Sequence, residues 1–247
     1  MRRLLLAAAL VVLALVWMSQ ACGGPPPFYT TQANGLRLGA ISPGTGAGLD
    51  VGPFGISKTF GIAVDDATGE LFAVVRDNSA PTLARVDPLT GAASTIGTGM
   101  GTSSSTLTLE IGPDGTIYAA AWDRTFYTVD RTTGVATLVG TMGSEADRIM
   151  DMAFDPTSGT LWGTVARELF TIDPATGATT PVSTISGITA PMGIAFDDAG
   201  TLYATNFSSL GEVYLVDPVT GAATLLGVSG FDRPHGGDIR NTPPPAP

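Results

Sequence analysis

Lysine, histidine and cysteine are nearly missing: Lys58, His235 and Cys22 stand alone among 247 residues. A single cysteine excludes an internal disulfide. A single histidine excludes a zinc site built on two imidazoles, and leaves any Ser-His-Asp arrangement one candidate base. Lys58 follows Ser57 rather than a glycine-rich run, so a phosphate-cradling loop of the Walker type is excluded as well. Neither a Gly-x-Ser-x-Gly elbow nor a His-Glu-x-x-His helix occurs. Charge is sparse at 14%, and 12 basic against 22 acidic residues leave a net charge of −10. That balance excludes nucleic acid as a partner, because gripping phosphates takes a basic face. Long apolar runs are lacking too. Leu4 to Trp17, 14 residues, is too short for the roughly 20 a bilayer span requires.

That apolar run has a role of its own. Met1-Arg2-Arg3 precedes it, and Met18-Ser19-Gln20-Ala21 leads from it into Cys22. A positive start, a short apolar segment and a small residue before cysteine resemble a bacterial lipoprotein signal over residues 1–21. The expectation is cleavage before Cys22, lipidation of that cysteine, and anchoring at the cell envelope outside the inner membrane. Loss of Arg2 and Arg3 would move the net charge from −10 to −12. Residues 22–27 then form a Gly/Pro linker.

Beyond the linker the chain is abundant in one thing, a turn. Val86-Asp87-Pro88-Leu89-Thr90-Gly91-Ala92 recurs as Ile172-Asp173-Pro174-Ala175-Thr176-Gly177-Ala178 and as Val216-Asp217-Pro218-Val219-Thr220-Gly221-Ala222. Looser copies end at Gly46 and Gly134, and the five glycines are spaced by 45, 43, 43 and 44 residues. A fixed period in this range marks a repeat architecture. Each unit reads as four short strands, A to D. In one unit these are Ile62-Ala63-Val64, Leu71 to Val75, Thr82 to Val86 and Ala93 to Ile96, separated by Gly, Pro and Asp turns. No helical period appears beyond Cys22.

The ends are complementary. Phe28-Tyr29-Thr30-Thr31 reads as a B strand with no A before it, and Gly236 to Arg240 reads as an A strand with no B after it. The expected fold is therefore all-β: a five-bladed propeller of four-stranded antiparallel blades over 28–241, the first blade closed by the C-terminal strand. Ring closure hides the strand edges that would otherwise template aggregation. Residues 242–247 are a proline-rich tail.

Gly193-Ile194-Ala195-Phe196-Asp197 and Leu202-Tyr203-Ala204-Thr205-Asn206 resemble the NHL, YVTN and gluconolactonase-like group of bacterial β-propellers. The resemblance implies the blade structure, and it brings an enzymatic alternative. Gluconolactonase-like members hold a divalent cation among Glu, Asn and Asp side chains and act as hydrolases or lyases. Only Asn34, Asn78, Asn206 and Asn241 are available here, without a clear counterpart of that set. Streptogramin lyases of the group use histidine chemistry, which the lone His235 does not favour. A binding or interaction module, monomeric, with an unknown protein or small-molecule ligand and touching the membrane only through its lipid, is the leading expectation.

In such a ring the A–B and C–D turns share one face and are short, whereas the variable B–C and D–A connections share the other. The variable loops carry Arg76-Asp77-Asn78, Trp122-Asp123-Arg124, Glu145 with Asp147 and Arg148, Arg167-Glu168, and Asp232-Arg233-Pro234-His235. Function on a rigid scaffold concentrates in such loops, so these residues form the expected ligand face. The aromatics Phe72, Tyr118, Trp162 and Tyr203 fall at one B-strand position and are expected in the core. Alternation along the A strands sends Gly61 and Ala63, Thr108 and Glu110, Asp151 and Ala153, Gly193 and Ala195, and Gly236 and Asp238 toward the ring axis. Glu110, Asp151 and Asp238 interrupt a small, neutral series. Their hard oxygens mark a candidate calcium or magnesium site in the central channel.

Overall fold

The computed structural model describes residues 27–77, 80–103 and 105–241; the expectations for 1–21, Cys22 and 242–247 fall outside them. The described strands form five four-stranded antiparallel sheets. The first joins β20 (His235–Ile239) to β1 (Phe28–Gln32), β2 (Arg37–Ile41) and β3 (Gly48–Pro53). The second is β4 (Thr59–Val64), β5 (Leu71–Asp77), β6 (Ala80–Val86) and β7 (Ala93–Ile96). The third is β8 (Thr106–Ile111), β9 (Ile117–Ala121), β10 (Thr125–Val129) and β11 (Ala136–Thr141). The fourth is β12 (Asp151–Asp155), β13 (Thr160–Val165), β14 (Glu168–Ile172) and β15 (Thr179–Thr184). The fifth is β16 (Pro191–Phe196), β17 (Leu202–Asn206), β18 (Glu212–Val216) and β19 (Ala223–Val228).

β20, β4, β8, β12 and β16 pack on one another in succession around the axis. The ring is closed by the two chain ends. Phe28 stands opposite Ile239 and Tyr29 opposite Asp238, while the hydroxyls of Thr30 and Thr31 donate to the carbonyls of Gly236 and His235 at 2.7 and 2.5 Å.

The repeated turn explains itself chemically. Asp87 accepts the N–H of Leu89 and the hydroxyl of Thr90, both at 2.8 Å, and Gly91 donates to the Asp87 carbonyl at 2.8 Å with φ of +76°. A Cβ at Gly91 would also lie 2.6 Å from the Gly52 carbonyl oxygen in the preceding blade. The glycine is required twice, for the left-handed backbone and for blade-to-blade approach.

The apolar core is divided among the blade interfaces. One cluster joins Phe72, Val74 and Leu83 to Leu109 and Ile117, and another joins Trp162 and Leu169 to Ile194 and Leu202. A third joins Phe126 to Phe170, a fourth Phe28, Ile41 and Ile239 to Tyr203 and Val213, and the last Leu38 to Ile62 and Leu71. Each cluster belongs to two adjacent blades. Phe72, Trp162 and Tyr203 are buried and Tyr118 packs against Phe126, so the B-strand aromatics are core as expected.

Candidate functional site

The channel carboxylates are placed by the A strands and are all buried, with 3%, 0% and 7% of Glu110, Asp151 and Asp238 exposed. Each reaches across to the next inner strand. Asp238 accepts the Val64 N–H at 2.7 Å, Glu110 that of Phe154 at 2.9 Å, and Asp151 that of Ile194 at 2.9 Å. Asp151 also accepts the Thr108 hydroxyl at 2.9 Å, and Asp238 its neighbour Ile239's N–H at 2.8 Å. Inner strands have no ladder partner on their axial edge, and a carboxylate supplies one. At the interfaces lacking such an acid, glycines let the backbones meet: a Cβ on Gly61 would sit 2.5 Å from Leu109 N, and one on Gly193 would sit 3.0 Å from the Gly236 carbonyl oxygen. Burial drives the carboxyls of Asp151, Glu110 and Asp238 well above the ordinary carboxylate range, and for Glu110 the charges of Asp238 and Asp151 add to it. Among the described residues no three His, Cys, Asp or Glu side chains are grouped as metal ligands would be.

At the short-turn end the channel opens into a cavity of about 120 Å³, floored by Glu110 and Asp238 and walled by Val64, Ile111 and Phe154, with Asp66 and Asn241 at its side. Sequence reasoning named Glu110 and Asp238 as candidate metal ligands but brought no turn residue or Asn241 to them. The A–B turns converge there, which follows from the ring and not from any single strand.

At the other end the variable loops build a contiguous aromatic and cationic chain. The Arg148 and Arg76 guanidiniums lie 6.0 and 5.9 Å from the Trp122 ring, and Arg76 lies 6.0 Å from Phe60. Phe60 meets His235 edge-on at 5.2 Å, and His235 meets Phe207 at 6.3 Å. Burial holds His235 neutral, its pKa pushed down to about 4. Trp122 Nε1 and His235 Nδ1 are buried without a hydrogen-bond partner.

The expected ligand face is thereby sorted. Trp122, Arg148 and His235 come together. Asp123 is engaged locally, accepting from the Thr125 hydroxyl at 2.5 Å, and Glu145 accepts the Thr179 hydroxyl. Glu168 accepts the Thr184 hydroxyl at 2.9 Å, and Asp232 lies 3.8 Å from Arg233. Asp147 is exposed, and Arg167 serves through its carbonyl, which accepts the Ile185 N–H at 2.7 Å. Arg124, Arg148 and Arg233 adopt φ of +69°, +62° and +50°. A left-handed arginine costs about 1 kcal/mol and persists where surroundings impose it. Phe60 and Phe207 were missed in the sequence. Phe60 holds the place before Gly61 that His235 holds before Gly236, a repeat position that could have exposed Phe60.

Comparison with known proteins places this architecture. A chain from a nidogen/laminin complex superposes with a TM-score of 0.57 at 14% identity, over 87% of this chain and 98% of that one. A protein of unknown function from Bacteroides thetaiotaomicron gives 0.60 at 15% identity, over 88% of this chain and 62% of that one. A gluconolactonase from Xanthomonas campestris gives 0.54 at 15% identity, over 86% and 79%. At such identities the likeness is one of fold. No curated protein matches the chain. The model for a repeat of unknown function (DUF6923) matches residues 60–237, and the chain belongs to that family.

Proposed function

We propose that this propeller is a lipid-anchored, extracytoplasmic binding module whose variable-loop face takes a ligand with an anionic group beside a flat apolar one. The observation that carries this reading is the pair Arg76 and Arg148 over Trp122. Both are exposed, and neither guanidinium has an ion pair among the described residues. In a chain with a net charge of −10, two arginines without an ion pair among the described residues, stacked on one indole, make a local anion site. Anchoring supports the same face. Pro27 leads into β1 beside Ile239, at the short-turn end, so a lipid on Cys22, five positions earlier, would hold that end to the membrane and turn the variable face outward. Among the described residues no helix is long and apolar enough to cross a membrane.

Benzoate is a suitable probe, being an anion on a flat ring. Titration followed on the Trp122 indole N–H resonance should give a saturable shift that inorganic phosphate does not reproduce at equal concentration. Combining Arg76→Ala with Arg148→Gly should abolish the shift. Stability should hold or rise by up to about 1 kcal/mol, because glycine relieves the left-handed backbone at 148. An unchanged shift in the double variant, or none in the wild type, contradicts the reading.

A further inference from the structure

We infer that the short-turn mouth of the channel binds a primary alkylammonium group. Its polar atoms are almost all acceptors, and two of them are buried and unsatisfied: Glu110 Oε2 and Asn241 Oδ1 have no hydrogen-bond partner, with 3% and 9% of their residues exposed. Such orphans are rare in folded proteins and call for an occupant. Asn241 is not loosely held, since its side-chain amide donates to the Phe196 carbonyl at 3.1 Å and its N–H to Asp66 at 2.9 Å. The nearest guanidiniums do not fill the need. Arg131 is paired with Asp65 at 2.7 Å on the rim, and Arg240 lies beside Asp66 and Tyr29 with its own Nε unpartnered.

The number of free acceptors selects the ligand. Glu110 Oε1 and both Asp238 oxygens already accept backbone N–H groups, so few lone pairs remain. Calcium asks for six to eight oxygens, and magnesium for a full octahedron. An ammonium presents three N–H donors, which Glu110 Oε2, Asn241 Oδ1 and a second lone pair of Asp238 can receive. Val64, Ile111 and Phe154 give an apolar wall that suits an alkyl body better than a hydrated ion. The size agrees. A cavity of about 150 Å³ in another protein holds benzene, and about 120 Å³ here holds a short alkylamine. Burial, with the charge of Asp238 adding to it, raises the Glu110 carboxyl, and a cation at Oε2 would offset both.

The test is calorimetric titration of the full chain with n-butylammonium chloride at constant ionic strength, with n-butanol as the uncharged counterpart. One site is expected, with butanol at least about tenfold weaker, because charge-assisted hydrogen bonds are the stronger kind. Glu110→Gln keeps an acceptor for the Phe154 N–H but turns a donor toward the cavity. It should fold normally and lose about tenfold or more in affinity. Should that variant fail to fold, the wild-type comparison of amine and alcohol decides alone. Phosphatidylethanolamine vesicles, whose headgroup is a primary ammonium, displace the probe if the ligand is a lipid of the anchoring membrane, while phosphatidylcholine, lacking N–H donors, does not. Displacement by neither vesicle assigns a free amine, and both outcomes support the inference. Equal binding of amine and alcohol overturns it, as does one-to-one calcium binding that excludes the amine. A butylammonium result of either sign leaves the benzoate site on the opposite face to be judged separately.

Discussion

A chain ending at Pro234 should lose most of its cooperative fold, whereas a chain ending at Asn241 should melt with the complete protein. Removing β20 exposes the β1 edge along Phe28 to Thr31, deletes Ile239 from the interface with the fifth blade, and strips the Val64 N–H of the Asp238 carboxylate. It also withdraws the strand on which β16 and β4 both pack. Propeller cores lie between blades, so an open ring leaves apolar faces bare on both sides of the gap. The expected loss is at least about 5 kcal/mol, comparable with the whole stability of a typical domain, and aggregation should follow. Thermal melts and light scattering on the two truncations check this. A soluble chain ending at Pro234 with unchanged melting would show that the C-terminal strand does not close the ring.

Asp151→Ala should be the most damaging single change in the channel. It leaves the Ile194 N–H and the Thr108 hydroxyl buried and unpaired, and each orphan costs about 1–3 kcal/mol. A fall in melting temperature of about 4–24 °C is expected for a chain of this size. Asp151→Asn keeps an acceptor for Ile194 and a donor for the Thr108 hydroxyl, and should cost about 1 kcal/mol or less near neutral pH. pH separates the two roles of the residue. Burial raises the folded carboxyl, so the native state keeps a proton that the unfolded chain loses above about pH 4. The wild type therefore loses stability as pH climbs from the unfolded value through the raised folded one. The asparagine variant should be flatter over that range, falling furthest behind the wild type at its acid end. His235 acts with the opposite sign: its contribution, complete above about pH 6.5, declines as pH falls toward its folded value of about 4. Urea melts of both forms between pH 5 and 8 provide the measurement, and parallel pH profiles would refute the raised carboxyl.

What the sequence made legible was local. Asp87-Pro88-Leu89-Thr90-Gly91 writes its turn in residue types that accept, preset and permit the needed backbone, and repetition then counts the blades. Closure was legible because an orphan strand at each end leaves one partner for each. The channel acids were legible as a break in a small-residue series, but their task was not. Whether Glu110 meets a metal, another acid or the Phe154 N–H depends on the stagger between blades, and alternation within one strand says nothing of it. The same limit hid the cavity, which belongs to converging turns of several blades. On the variable face, charge and loop variability named three members of the aromatic and cationic cluster, Trp122, Arg148 and His235. They also swept in Glu145 and Glu168, which threonine hydroxyls occupy. The left-handed arginines were invisible, because nothing in an arginine marks a positive φ.

Native-state hydrogen exchange on the wild type tests the central claim, a ring closed by β20 and tied across its channel by three carboxylates. The amides of Val64, Phe154 and Ile194 bond to side chains of the adjacent blade rather than to a ladder partner. They should nonetheless exchange as slowly as the paired amides of β1 and β5, through global opening. Exchange of these three at the rate of an exposed strand edge, while the ladders stay protected, would contradict the account.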